Sequence, residues 1–186
     1  AFALLASAAQ ADESAARGQK LAYTCMGCHG IENYKNAYPK YSVPKLGGQN
    51  TAYMMTALEE YASGARWHPT MKGQAITLAA QDRADLAAWF TSTAPIPSGG
   101  KQVGTPPASA RACGACHGSD GLGTLDEYPN LAGQHADYLA QALNDYRLGK
   151  RQNPVMNTFA QQLTREDIEA LSAYFSQQPG LRTPTL

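Results

Sequence analysis

"CGACHG", at residues 113–118, repeats "CMGCHG", at residues 25–30, and the two stretches use all four cysteines of a 186-residue chain. Cys25 and Cys113 stand 88 residues apart, whereas "VPKLGGQ" (43–49) meets "YPNLAGQ" (128–134) at an offset of 85. That second offset pairs Tyr53 with Tyr138, Leu58 with Leu143, Tyr61 with Tyr146, Arg66 with Arg151, Met71 with Met156 and Phe90 with Phe175. The chain is therefore two copies of one unit of roughly 85 residues. The first copy holds three extra residues within "IENYKNAYPKYS" (31–42), which accounts for the change of offset.

Each unit reads as helical. From Asn50 to Ser63, Tyr53, Ala57, Leu58 and Tyr61 share one face, and Gly64 follows where a helix-ending glycine belongs. Tyr138, Ala142, Leu143 and Tyr146 repeat the pattern before Gly149. A later helix is expected from about Gln81 to Thr91, with its partner from Thr164 to Gln177, where Thr164 suits an N-cap. A short helix over 13–24 leads into the first cysteine motif. No convincing strand alternation is present, so the class is all-α. The Pro-, Gly- and Ser-rich stretch 93–109 separates a first domain, 12–92, from a second, 110–186.

Hydrophobic residues make up 44 % of the chain and charged ones 16 %, which favours a packed core over disorder. Lys and Arg balance Asp and Glu at 15 each, with no polybasic run, which argues against nucleic acid as a partner. The opening "AFALLASAAQA" (1–11) is small, apolar and uncharged, and ends in an A-x-A site. It reads as a signal-peptide remnant, with an Ala-rich helical turn or the end of an N-terminal anchor as the alternatives. Export to the periplasm is the expectation.

Cys-x-x-Cys on a helical turn brings two thiols to one side, where they can add to the vinyl groups of a haem. The histidine directly after then lies beneath the iron. A thioredoxin-like pair needs a βαβ setting that this chain lacks, and a disulfide does not explain the histidine after each pair. Four-cysteine zinc sites space their pairs far more closely than Cys28 and Cys113. Two covalently attached haem c are therefore expected, anchored by Cys25 and Cys28 and by Cys113 and Cys116, with His29 and His117 as iron ligands. Among five methionines only Met71 and Met156 correspond between the copies, each two residues after a proline on a segment between helices. They are the expected sixth ligands, with His68 and His135 as unrepeated rivals, and Met54 and Met55 as core filler. His/Met ligation raises the reduction potential and fills the position a substrate would need, which points to electron transfer. Pro44 and Pro129 follow the haem histidines by 15 and 12 residues and can offer carbonyls to the imidazoles. Arg66 and Arg151 suit haem propionates or plain surface solvation.

The two C-x-x-C-H-G motifs, the P-x-L-(A/G)-G-Q segments, the Met segments and the closing "LAAWF" (86–90) and "LSAYF" (171–175) resemble dihaem cytochromes c of the cytochrome c4 type over about residues 14–178. The resemblance implies two tandem cytochrome c-like haem-binding domains related by an approximate twofold. It also implies a periplasmic, or membrane-associated, electron carrier of a respiratory chain. Its partners would be a quinol-oxidising complex or other donor and a haem-copper terminal oxidase. The competing readings are a dihaem enzyme of thiosulfate dehydrogenase or peroxidase type and a fixed haem subunit of an oxidoreductase complex. The insertion at 31–43, rich in Tyr and Lys, departs from the second copy and bears on how the first haem is exposed.

Overall fold

A computed structural model describes residues 2–96 and 102–185, with side chains from Asp12 onward. The helices of the first unit are α1 (Phe2–Leu21), α2 (Tyr23–His29), α3 (Thr51–Ser63), α4 (Pro69–Ala75) and α5 (Ala80–Thr93). Those of the second are α6 (Ala110–His117), α7 (Ala136–Arg147), α8 (Pro154–Gln161) and α9 (Arg165–Gln177). Among the described residues the only β pairing is three isolated bridges. The helix over 13–24 expected from sequence proves to be longer and broken. α1 already runs from Phe2, its first residues being Ala-rich and free of breakers, and Ala22 turns the chain before the cysteine motif forms a helix of its own. The signal-segment reading of 1–11 and the middle of the linker, 97–101, lie outside the described side chains.

Local signals set most boundaries. Thr164 accepts from the Asp167 amide while the Asp167 carboxylate accepts from Thr164, a capping box that starts α9. Gly64 ends α3 at φ 89°, a left-handed turn that costs other residues more. The α3 start is different, because Asn50 makes no side-chain cap there. Asp126 of the second unit takes that place, accepting from the amides of Thr51 at 3.0 Å and Ala52 at 2.7 Å. A carboxylate at a helix N-terminus satisfies orphan N–H groups and complements the dipole.

The repeat is visible in the cores. Ala22, Met54, Leu86, Ala87, Trp89 and Phe90 form the first, and all but Ala87 have their counterparts in the second, formed by Ala110, Leu139, Leu171, Tyr174 and Phe175. Met54 is core as expected, but Met55, the next residue around α3, is exposed. α1 lies across α5 at Gly18, and Asp85 of α5, fully buried, accepts from Ser14 at 2.5 Å and pairs with Arg17 at 2.8 Å. Among the described residues the second unit has no counterpart to α1. Instead Gln102 donates to the Ser119 carbonyl at 2.6 Å, and Val103 exchanges hydrogen bonds with the Gln178 side chain.

The two units are joined by reciprocal contacts. Trp67 donates its amide to Lys150 and Gln152 donates to Ala65, both at 2.8 Å, around the Arg66–Arg151 bridge. These four residues are two equivalent pairs at the 85-residue offset, so an approximate twofold passes between them. Arg182, in the C-terminal tail, pairs with Gly47 in both directions. The insertion folds back through a Lys35–Ser42 bridge, and both of those residues reach Asp137 in the first turn of α7. It carries Tyr38 outward, 96 % exposed.

Candidate haem centres

α2 and α6 each end on their histidine, so each carries a Cys, a Cys three residues on and a His immediately after. On a helix, positions i and i+3 share a face, which brings the two thiols of a pair to one side. None of the four cysteines is paired in a disulfide, and burial pushes the thiols of Cys25 and Cys113 up from their ordinary pKa. Among the described residues no three or more His, Cys, Asp or Glu gather as a bare metal site, which leaves the zinc alternative without a ligand set.

His29 Nδ1 lies 2.8 Å from the Pro44 carbonyl oxygen, and His117 Nδ1 lies 3.0 Å from that of Pro129. A carbonyl only accepts, so each Nδ1 carries the proton and each Nε2 keeps its lone pair. Burial pushes both imidazoles below their ordinary pKa, with the carbonyls opposing part of that shift, so the rings stay neutral. A neutral ring with a free Nε2, oriented by a backbone carbonyl and set beside two free thiols, is a donor set that fits a covalently held haem.

Met71 and Met156 do not lie between helices, as the sequence suggests, but in the first turns of α4 and α8, each opened by its proline. Proline suits that first position because its missing N–H has no helical partner there. The Met71 amide donates to His68 Nδ1 at 3.2 Å, and the Met156 amide donates to Asn153 Oδ1 at 3.0 Å. His68 and Asn153 therefore perform one task, capping the helix that carries the methionine. The unrepeated His68 thus has its Nδ1 engaged by this cap, and His135 stands at the N-cap position of α7 without a side-chain cap.

Surface solvation of Arg66 and Arg151 is overturned, because they are 3 % and 6 % exposed at the junction of the units. Arg66 donates to Glu60 and to the Tyr53 hydroxyl, and Arg151 donates to the Tyr138 hydroxyl at 3.1 Å. Tyr53, Tyr61, Tyr138 and Tyr146, which the repeat places on matching helix faces, supply the rings over which these guanidinium groups lie.

Sequence reasoning assigned no role to Gln49 and Gln134, the last residues of the repeated P-x-L-(A/G)-G-Q segments. Both are buried at the interface. Gln49 Oε1 accepts from the Asn130 amide at 2.8 Å and its Nε2 donates to the Asn130 carbonyl at 3.0 Å. Gln134 does the same to Lys45 of the first unit, at 2.9 and 3.0 Å. Their presence at matching ends of a repeated segment was the available signal.

A cytochrome c family model matches residues 15–94 and again 107–179. Cytochrome c4 of Pseudomonas aeruginosa is 34 % identical over 91 % of this chain and 91 % of its own length. A protein of Stutzerimonas stutzeri (strain A1501) named thiosulfate dehydrogenase electron acceptor is 32 % identical, over 87 % of this chain and 86 % of its own. Among solved structures, cytochrome c4 of Acidithiobacillus ferrooxidans superposes with a TM-score of 0.69 at 32 % identity, covering 84 % of this chain and 99 % of that one.

Proposed function

This chain belongs to the cytochrome c family as a dihaem electron-transfer protein of the cytochrome c4 type, and from that premise we propose that it is a periplasmic electron carrier rather than an enzyme. It contains two covalently bound haem c and exchanges electrons with redox partners. In this reading Cys25 and Cys28 anchor one haem and Cys113 and Cys116 the other. His29 and Met71 ligate the first iron, His117 and Met156 the second. The observation that carries it is the matched pair of histidines, each turned by a proline carbonyl so that Nε2 is free, each with a capped Met helix in its own unit.

When bound, the haem supplies one-electron exchange at its iron. The protein's part is to hold, orient and shield it. The Pro44 and Pro129 carbonyls fix the ring planes, and the thioethers of Met71 and Met156 favour the reduced state and exclude small ligands. No cysteine is left over for covalent chemistry on a substrate.

The donor in this proposal is a quinol-oxidising complex and the acceptor a haem-copper terminal oxidase, supported by likeness to cytochrome c4 proteins over nine-tenths of both chains. A second reading replaces the donor by a thiosulfate-oxidising enzyme, favoured by the likeness to the Stutzerimonas electron acceptor. No helix among the described residues is long and apolar enough to cross a membrane. Peripheral membrane association is part of this proposal.

The test is spectroscopic and kinetic. Both haems are expected to be low-spin with the Met–iron absorption at the red edge, to refuse carbon monoxide at neutral pH, and to show no turnover of thiosulfate or peroxide alone. Met71→Ala and Met156→Ala each remove half of the red-edge band. A high-spin haem in the unaltered protein, or turnover of either substrate, overturns the carrier reading. Reduction by a thiosulfate dehydrogenase but not by a quinol-oxidising complex selects the second donor.

A further inference from the structure

The peptide group that joins Pro44 to Lys45 is hydrogen-bonded on both edges, by different domains. Its carbonyl accepts from His29 Nδ1 at 2.8 Å within the first domain. Its N–H donates to Gln134 Oε1 of the second domain at 2.9 Å. The peptide group joining Pro129 to Asn130 is its mirror. The carbonyl accepts from His117 at 3.0 Å, and the N–H donates to Gln49 of the first domain at 2.8 Å.

The surroundings make these contacts rigid. Gln49 and Gln134 are 5 % and 4 % exposed, and each Oε1 also accepts from the amide of the next residue, Asn50 or His135. Their Nε2 groups close a second bond onto the carbonyl of Asn130 or Lys45, so each glutamine grips one residue from both sides. The side chains of Lys45 and Asn130 answer in kind, donating to Gly133 and Gly48 of the opposite domain. Buried bonds of this kind are electrostatically strong and polarise one another in series.

An N–H bonded to an acceptor leaves its peptide carbonyl more negative, hence a better acceptor. A histidine that donates to a better acceptor carries more charge on its ring and is a stronger base at Nε2. Such an imidazole stabilises the higher oxidation state of the metal it holds.

We propose that Gln49 and Gln134 are cross-domain positioning residues, each setting the reduction potential of the other domain's haem through one shared peptide group. The proposal rests on His29 and His117 being the iron ligands. It makes the domain interface part of each redox centre. Separation or loosening of the domains raises both potentials, and a partner that strains the interface changes them.

The experiment is a spectroelectrochemical titration of the dihaem protein that resolves the two haems, combined with NMR of the His Nδ1 protons in the reduced state. Gln134→Met removes the acceptor for Lys45 N–H at nearly constant volume. It is expected to raise the potential of the first haem and move the His29 Nδ1 proton upfield, leaving the second haem unchanged. Gln49→Met does the converse. The change in the reduction equilibrium is a few-fold, below the roughly 10–100-fold that loss of a direct outer-shell partner costs. Gln134→Glu retains an acceptor oxygen and holds the first potential at or below its original value. Lys35→Met breaks an exposed interface pair without touching either peptide group and leaves both potentials unchanged.

A shift in the variant's own domain, equal shifts at both haems, or the same shift from Lys35→Met overturns the proposal. Failure of the ligand assignment is distinguishable, because it would show as absence of the low-spin Met–iron spectrum in the unaltered protein. If Gln134→Met does not fold, Gln49→Met and Gln134→Glu still give the sign and the domain of the effect.

Discussion

Arg66 and Arg151 meet backbone to backbone across the approximate twofold, yet each guanidinium turns back into its own domain. Arg66 lies over Tyr53 and Tyr61, with its charge centre 5.5 and 5.2 Å from their ring centroids, and Arg151 over Tyr138 and Tyr146 at 5.3 and 5.7 Å. Two like charges can be buried so close only if each is neutralised locally. Glu60 does this for Arg66 at 2.6 Å, while Asp145 stands off Arg151 at 3.9 Å.

The two arginines therefore differ in what their removal exposes. Arg66→Met strands Glu60 and the Tyr53 hydroxyl and is expected to cost about 3–5 kcal/mol. Arg151→Met costs less, about 1–3 kcal/mol, because Asp145 keeps the Gln141 side chain as a donor at 2.8 Å. Chemical denaturation followed at the haem absorbance gives both values, and equal losses contradict the assignment.

Asp137 makes one part of the interface sensitive to acid. Burial pushes its carboxyl up, but hydrogen bonds from Lys35 and Ser42 outweigh that and hold its pKa below the ordinary 3.8. A lowered folded-state pKa means that its stabilisation is fully present above about pH 4 and is lost as pH falls through the lower folded value. The group is partly exposed, so the effect is at most about 1 kcal/mol. The stability difference between the unaltered protein and Asp137→Asn is expected to shrink as pH is lowered from neutrality to below 3.8, by denaturant titration at a series of pH values.

Gly18 permits the crossing of α1 over α5. A Cβ there would stand 1.9 Å from the Asp85 carbonyl oxygen and 2.8 Å from the Trp89 Cβ, and neither is the end of a flexible side chain. Gly18→Ala is expected to push the helices apart and destabilise the first domain by about 1–3 kcal/mol or more. Calorimetry should show one domain melting early while the second, which has no such crossing, keeps its transition.

His68 and Asn153 are interchangeable in this structure, which gives a clean test. His68→Asn is expected to leave the first haem's spectrum and stability unchanged, since Asn153 already caps α8 in the same way. His68→Ala loses the cap and about 1 kcal/mol. A changed iron spectrum in His68→Asn, measured by absorption at the red edge, restores His68 as a ligand candidate.

Much of this architecture was legible before any coordinates. The helices over 50–63 and 164–177 could be read because apolar periodicity, Thr164 and Gly64 are local signals acting within a turn or two. The registration of Met71 with Met156 needed only the repeat. Arg66 and Arg151 misled because a charged residue just past a helix is ordinarily solvated, and only the other domain buries them. The helix from Asn50 was legible but its cap was not, because the capping oxygen comes from Asp126, 76 residues further along the chain.

The order of residues alone specified two equivalent helical units, four cysteines committed in two pairs, and the candidate ligands in register, because covalent attachment, capping and periodicity depend on near neighbours. Folding settled how the copies meet. Gln49 with Asn130 and Gln134 with Lys45 are contacts over 81 and 89 residues, set by the packing of two surfaces and not by any local preference. A repeat announces that two sites exist. It takes the interface, where each domain's backbone completes the other's hydrogen bonds, to hold them together.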